Sequence, residues 1–189
     1  MKKNLGQKTY FFPQPVLIIA TYNEDGSANA MNAAWGGIAD YNIVELNLDP
    51  AHKTCENILN KKAFTISFAT ENLIADSDYL GIVTGNKIKS KVESAGLTSI
   101  KSEFVDAPII DEYPVTLECE VEKLEYVPDG LRVLGKIINV AADVSVITDG
   151  KNDIEKLRPV AFDPVCHKYY TMDKIIADAF KVGKTVDKK

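Results

Sequence analysis

The chain has 189 residues, 46% of them hydrophobic and 26% charged, with a formal net charge of −5. That composition suits a folded chain with a substantial core and excludes a disordered polymer. Acidic and basic residues mix along the whole length, so no basic face for nucleic acid is visible. The longest apolar run, residues 16–20, is far too short to span a bilayer.

No repeat, low-complexity stretch or Pro/Gly/Ser linker interrupts the chain, and one domain over residues 1–189 is expected. Residues 1–8 carry lysines with no apolar stretch of signal-peptide length behind them, so a cytoplasmic location is expected. Residues 15–21 form a β-rich apolar run, short enough for a buried strand. Asp25-Gly26 follows, a dipeptide suited to the positive φ angles of a tight hairpin, with a return strand expected over 28–36. Residues 43–48 alternate and stop at Asp49-Pro50. A short helix is expected over 54–60, with Thr54 as its N-cap.

Residues 63–70 read as a strand with Phe64, Ile66 and Phe68 on one face and Thr65 and Ser67 on the other. Short helices are expected over 73–80 and 90–95, the second closed by Gly96. In residues 115–124, Val115, Leu117, Cys119 and Val121 alternate with Thr116, Glu118, Glu120 and Glu122. That spacing predicts a strand with one buried and one wet face. Asp129-Gly130 is a second hairpin signal, and Gly135 marks a bulge or bend in a strand over 131–146. Ile175, Ile176, Ala179 and Phe180 recur at helical spacing, with Gly183 as the stop. Many strands, hairpin turns and peripheral helices predict a mainly β chain built as a closed or partly closed barrel.

Familiar chemical signatures are absent. There is no Gly-x-Gly-x-x-Gly, no Walker lysine loop and no Gly-x-Ser-x-Gly elbow. His52 and His167 stand at no metal-binding spacing. Cys55, Cys119 and Cys166 are odd in number and far apart, so free thiols are expected rather than a zinc site or a disulfide framework. The densest basic run, Lys87, Lys89 and Lys91, reads as a solvated surface, with phosphate contact as the alternative.

Three segments remain as candidates. Residues 29–37 (NAMNAAWGG) carry small side chains that let a flat ligand approach the main chain, and Asn32 offers both a donor and an acceptor. Tight sheet packing explains the same composition. In His52-Lys53-Thr54-Cys55-Glu56-Asn57, a lysine and a hydroxyl at a helix start make a phosphate cradle or an ordinary cap. Ser67-Phe68-Ala69-Thr70 places short hydroxyls at a strand end, lining a ligand or capping a turn.

In this order the segments resemble the flavin reductase-like FMN-binding split-barrel family, in particular its flavoredoxin-type branch. The likeness runs from Pro15-Val16-Leu17-Ile18-Ile19 and Asp25-Gly26-Ser27-Ala28-Asn29 through Asn32-Ala33-Ala34-Trp35, Lys53-Thr54-Cys55-Glu56-Asn57-Ile58 and Phe64-Thr65-Ile66-Ser67. It continues through Tyr79-Leu80-Gly81, Ala95-Gly96-Leu97-Thr98 and Pro114-Val115-Thr116-Leu117-Glu118-Cys119. It ends at Tyr169-Tyr170 and Ala179-Phe180-Lys181-Val182-Gly183-Lys184.

The resemblance implies a Greek-key split barrel, a homodimer, and FMN rather than FAD at or near the subunit interface. It implies that Asn29, Met31, Asn32, Ala33, Ala34 and Trp35 meet the flavin ring and ribityl chain. By the same likeness Lys53 and Thr54 hold the phosphate, with Asn57 one turn on, and Ser67 and Thr70 line the pocket. Two positions depart from the family pattern. Lys53 stands where many relatives carry arginine, giving a point charge without the bidentate fork. Ala33 and Ala34 stand where serine or threonine is usual, leaving ring contacts to backbone donors. The implied activity is NAD(P)H-dependent flavin reduction or flavoredoxin-like electron transfer, with the cofactor carrying the chemistry and no protein nucleophile. The alternatives are a non-catalytic FMN-binding electron carrier reduced by a redox protein partner, a barrel for another small ligand, and pyridoxamine-phosphate oxidase-like chemistry. His167 is expected to be an ordinary loop residue, with a role beside the flavin or nicotinamide as the alternative.

Overall fold

The computed structural model describes residues 1–186; residues 187–189, the end of the expected domain, lie outside the described residues. The strands are β1 (Gln14–Pro15), β2 (Leu17–Tyr22), β3 (Ala28–Ala33), β4 (Gly36–Asp40), β5 (Ile43–Leu48), β6 (Ala63–Phe68), β7 (Ser99–Lys101), β8 (Pro108–Ile110), β9 (Val115–Val127), β10 (Gly130–Ala142), β11 (Ile147–Thr148), β12 (Lys151–Asn152), β13 (Val160–Asp163) and β14 (Lys168–Thr171). Four short helices sit between them: α1 (Lys53–Lys61), α2 (Ile74–Ile82), α3 (Lys91–Ser94) and α4 (Ile154–Leu157).

Seven antiparallel strands form the frame in the order β3-β2-β6-β9-β10-β5-β4. The two edge strands, β3 and β4, are consecutive in the chain. Ala34 and Trp35 join them, and the Trp35 carbonyl accepts from Asn47 N–H at 2.8 Å. The sheet therefore curls into a barrel with a split between β3 and β4, the mainly β architecture with peripheral helices that the hairpin pattern predicts.

Burial on both faces explains the unbroken apolar run at its centre. Leu17 and Ile19 point into the barrel with Leu46, Ile58, Phe64, Ile66, Leu131 and Val133. Val16, Ile18 and Ala20 point outward into a second core with Leu80, Val92, Ile110 and Tyr113. Two layers cover this strand, so it needs no polar face. The amphipathic α1 plugs the barrel with Cys55 and Ile58. Burial pushes the thiols of Cys55 and Cys119 up to about 11 and about 12, which keeps both protonated and unreactive near neutrality.

Four expectations need correction. Thr54 does not cap α1; the N-cap is His52, with no side-chain bond to the first turn, and Thr54 lies inside the helix. The expected wet face of β9 is wet only beyond Glu118. Thr116 and Glu118 are each 1% exposed, because the β7–β8 segment folds over them. Ser102 Oγ donates to Glu118, Asn139 Nδ2 donates to it at 2.6 Å, and Thr116 pairs with Ser67 at 2.8 Å. Buried polar groups satisfied in this way cost little. The strand expected over 131–146 ends at Ala142, and a single 3₁₀ turn follows over Val144–Val146. Finally, no helix spans 175–180; a 3₁₀ turn at Val182–Thr185 is the only regular piece beyond β14 among the described residues.

Candidate functional site

The hairpin at Asp25-Gly26 returns β3 alongside β2, and this edge strand carries Asn29, Met31 and Asn32. Behind it, α1 begins at Lys53 and packs on β2 and β3, while α2 packs on β3 from the other side. The end of α2 and the chain that leaves it, residues 81–85, line the space beside them. Together these elements enclose a cavity of about 260 Å³ lined by Asn29, Met31, Asn32, Lys53, Thr54 and Lys91, with His52 at the helix start and the 81–85 backbone as one wall.

Three features equip this cavity for an anion. The first turn of α1 lacks a side-chain cap; Cys55 N–H donates to the His52 carbonyl at 2.9 Å, and the Lys53 and Thr54 N–H groups have no acceptor among the described residues, at the positive end of a nine-residue helix. Lys91 reaches in from α3 and is 3% exposed. Among the described residues it has no ion-pair partner, and burial alone pushes its ammonium down to about 8. Gly85 supplies the room: a Cβ there would overlap Asn29 Oδ1 and lie 3.3 Å from Lys53 Cβ. Gly81 similarly lets the loop approach Asn32, whose Cβ would be 3.3 Å from an added Cβ.

The polar walls are held in place. Asn29 Nδ2 donates to Thr54 Oγ1 at 2.9 Å, locking β3 to α1. Asn32 Nδ2 donates to the Ser77 carbonyl at 3.0 Å, locking β3 to α2. Tyr169 donates to Asp78 at 2.7 Å, and its hydroxyl is pushed up to about 12 by burial and the neighbouring carboxylate, so it stays a donor. Lys53 is paired with Glu56 at 2.5 Å, one turn along the helix. A shallower cavity of about 300 Å³ adjoins through Lys53 and Gly85 and continues to Asn23, Asn86 and Lys89.

The residues singled out in the sequence do not all meet in one place. Asn29, Met31, Asn32, Lys53 and Thr54 converge on the cavity. Asn57, Ser67 and Thr70 are buried but lie outside its lining. Asn57 donates to Thr21 and Asn23 at 3.0 and 2.9 Å, Ser67 pairs with Thr116, and Thr70 bridges to Pro159. Ala33 and Ala34 are half-buried at the end of β3. Trp35 opens instead onto a separate groove of about 310 Å³, with Phe11, Gln14, Ile38, Asn47 and Pro164. His167 is exposed in the β13–β14 turn at φ +52° and stacks on Phe162, with ring planes 2° apart.

The 81–85 segment is a contribution that sequence pattern missed, although Gly81 and Gly85 at a helix end do signal close backbone approach. Lys91 reads with Lys87 and Lys89 as solvated surface, with phosphate contact only as the alternative. Lys87 and Lys89 are exposed as expected, and Lys91 alone turns inward.

Residues 9–153 match the family described as the flavin reductase like domain. The chain is similar to the flavoredoxin of Desulfovibrio vulgaris (Miyazaki F), with 35% identity and a TM-score of 0.92, covering 97% of this chain and 100% of that one. A flavoredoxin from Methanosarcina acetivorans is 25% identical with a TM-score of 0.89, covering 98% and 99%. The FMN-binding domain of a flavin reductases-like enzyme from Shewanella baltica OS155, 19% identical over 87% of this chain and 89% of its own, shares the fold with a TM-score of 0.75.

Proposed function

This chain belongs to the flavin reductase-like domain family, and on that premise we propose that it binds FMN and acts as an NAD(P)H-dependent flavin oxidoreductase. One observation carries the reading: Lys91, 3% exposed and without an ion-pair partner among the described residues, lines the same cavity as the uncapped start of α1. A buried cation without an anion is costly, and a terminal phosphate is the ligand that relieves the cost. FMN ends in such a group.

Lys91, Lys53, Thr54 and the first N–H groups of α1 would hold the phosphate. Asn29, Met31 and Asn32 would hold the ribityl chain and ring edge, with Ala33, Ala34 and Trp35 next along the chain. We assign Asn57, Ser67 and Thr70 a positioning role. Asn57 ties α1 to β2, and Ser67 and Thr70 fasten the strand beneath. Bound FMN would supply the redox chemistry, hydride transfer from a reduced nicotinamide and onward delivery of electrons. The protein's part is binding and orientation. The working form is a cytoplasmic homodimer, a reading supported by exposed apolar side chains at Phe11, Ile38 and Tyr41; no helix among the described residues is long and apolar enough to cross a membrane.

The test is an absorption spectrum after equilibration with FMN and desalting, followed by NADH and NADPH oxidation assays. Retained flavin near one per chain and steady oxidation of either nicotinamide are expected. A protein that stays colourless and oxidises neither with added FMN would end this reading. Retained flavin without oxidation would favour a carrier reduced by a protein partner, the reading to which the likeness to flavoredoxins lends support.

Gly85→Ala probes the cradle without touching a charged group. The new methyl displaces Asn29 and breaks its bond to Thr54. Loss of one buried hydrogen bond is worth about 1 kcal/mol, so FMN should bind about five- to tenfold more weakly. Titration by quenching of flavin fluorescence would read the change, and an unaltered affinity would remove Gly85 from the site.

A further inference from the structure

Two lysines line the cavity, and they are held differently. Lys91 is buried and has no ion-pair partner among the described residues. Lys53 is already engaged: its Nζ lies 2.5 Å from Glu56 Oε1, on a side chain that is 53% exposed. Lys53 lines both this cavity and the shallower one beside it, whereas Glu56 lines neither. The pair therefore draws the ammonium toward a group outside the site.

Helix geometry gives the direction of that pull. Lys53 is the first residue of α1, and Glu56 stands one turn later, about 4.5 Å further along the axis. The Lys53 and Thr54 N–H groups open at the helix start, with no acceptor among the described residues. An ammonium turned along the helix to Glu56 is turned away from an anion seated on those groups. The 81–85 segment fixes only the base of the side chain, since a Cβ added at Gly85 would lie 3.3 Å from Lys53 Cβ. Beyond it, the flexible four-carbon stem can present the ammonium to either side.

We propose that Glu56 is a positioning residue that competes with the flavin phosphate for Lys53, so that binding must break one ion pair to make another. The proposal rests on the FMN reading above and adds what sets the strength of that site. Burial commits Lys91 to the cavity, while an exposed carboxylate holds Lys53 in reserve. An exposed pair of this kind favours its closed form by a factor of up to about five. Binding loses that factor, and Glu56 recaptures Lys53 as flavin leaves. The pair therefore favours exchange of the flavin over its retention. Repulsion between Glu56 and a phosphate one turn away is a separate effect, because it acts whether or not Lys53 is present.

The test compares full-length native chain, Glu56→Ala, Lys53→Met and the double variant. FMN and riboflavin are titrated by quenching of flavin fluorescence, and inorganic phosphate by the shift of the Thr54 N–H resonance. Glu56→Ala should bind FMN and inorganic phosphate about three- to fivefold more tightly, and riboflavin, which lacks the phosphate, with nearly native affinity. In the Lys53→Met background the same change should gain less than about twofold, because the pair is already gone. A gain that persists there would mean that Glu56 acts by repulsion alone, and would overturn competition for Lys53. An equal gain for riboflavin, the mark of a purely structural effect, would overturn it too. So would weaker FMN binding by Glu56→Ala, the mark of a carboxylate that steers Lys53 onto the phosphate. The two readings fail separately. Phosphate bound more tightly by Glu56→Ala in a chain that ignores FMN counts against FMN alone, and FMN bound equally by native and Glu56→Ala chains counts against Glu56 alone.

Discussion

Lys91→Met is expected to weaken FMN binding on the order of 100-fold at pH 7 while leaving the fold intact. The ammonium is buried in the cavity wall with no anion among the described residues, so it contributes to binding and costs stability without ligand. A charge-assisted contact to phosphate is worth about 1.5–3 kcal/mol, which converts to roughly 10- to 150-fold in affinity. Methionine keeps the length of the stem, so no cavity opens beside Val92.

The same residue sets a pH dependence. Burial lowers the Lys91 pKa to about 8 in the ligand-free protein, and a bound phosphate would raise it again. Binding therefore takes up a proton where the free site has lost one, and affinity should fall as pH rises through about 8. Below that, Lys91 is charged in both forms and contributes no slope. Stability of the ligand-free protein runs the other way. The folded pKa lies below the unfolded value near 10.4, so the unfolded chain binds more protons between them and stability rises with pH across that window. The cost of the buried charge is fully present below pH 8. Lys91→Met should lose both slopes and unfold at a higher temperature than the native protein at pH 7 when FMN is absent. An affinity within twofold of native would remove Lys91 from the phosphate site.

Gly135→Ala is expected to destabilise the fold by about 1–2 kcal/mol. A Cβ at Gly135 would overlap Phe64 Cζ, lie 2.9 Å from Cε1 and meet Val44 Cγ2 at 3.3 Å. Phe64 is fully buried in the barrel core, so the ring has no free direction in which to move. Alanine is favoured over glycine in a strand by roughly 0.5–1 kcal/mol, but overpacking a filled core costs about 1–3 kcal/mol and sometimes more. The clash decides the sign. Urea unfolding would measure the loss, and Phe64→Leu in the same chain should recover part of it, because the two sites are in contact. A loss under about 0.5 kcal/mol would mean that the barrel breathes at this point.

Local pattern was a good guide wherever a residue's partner lies nearby in sequence or on one face. Alternation located Ile43–Leu48 to the residue, and Asp25-Gly26 located the first hairpin, with Gly26 at φ +83°. Gly135 was legible as an irregularity, and a register shift falls at Leu134/Gly135. Asn29, Met31, Asn32, Lys53 and Thr54 were legible as one site through their resemblance to a family, not through their spacing.

Pattern failed where a segment's surroundings come from far along the chain. Asn57 and Ser67 carry the right chemistry, but Thr21, Asn23 and Thr116 engage their polar atoms, and Thr70 is placed away from the cavity by its backbone bridge to Pro159. Glu118 lies in a strand that reads as half wet, and only the segment folding over it, sixteen residues away at Ser102, makes it buried. The segment after Met172 has helical spacing with no packed face of its own chain to sustain a helix.

By itself the sequence determined the strands, the turns and the barrel, because periodicity and turn chemistry act over a few residues and need no knowledge of distant neighbours. Tertiary structure alone decided which polar side chains line the cavity. Lys91 and Lys89 are the same residue type two positions apart, one buried and one exposed. What separates them is the closure of β3, α2 and the 81–85 loop around one ammonium, and burial, which sets both its pKa and its use, depends on chain brought in from sixty residues away.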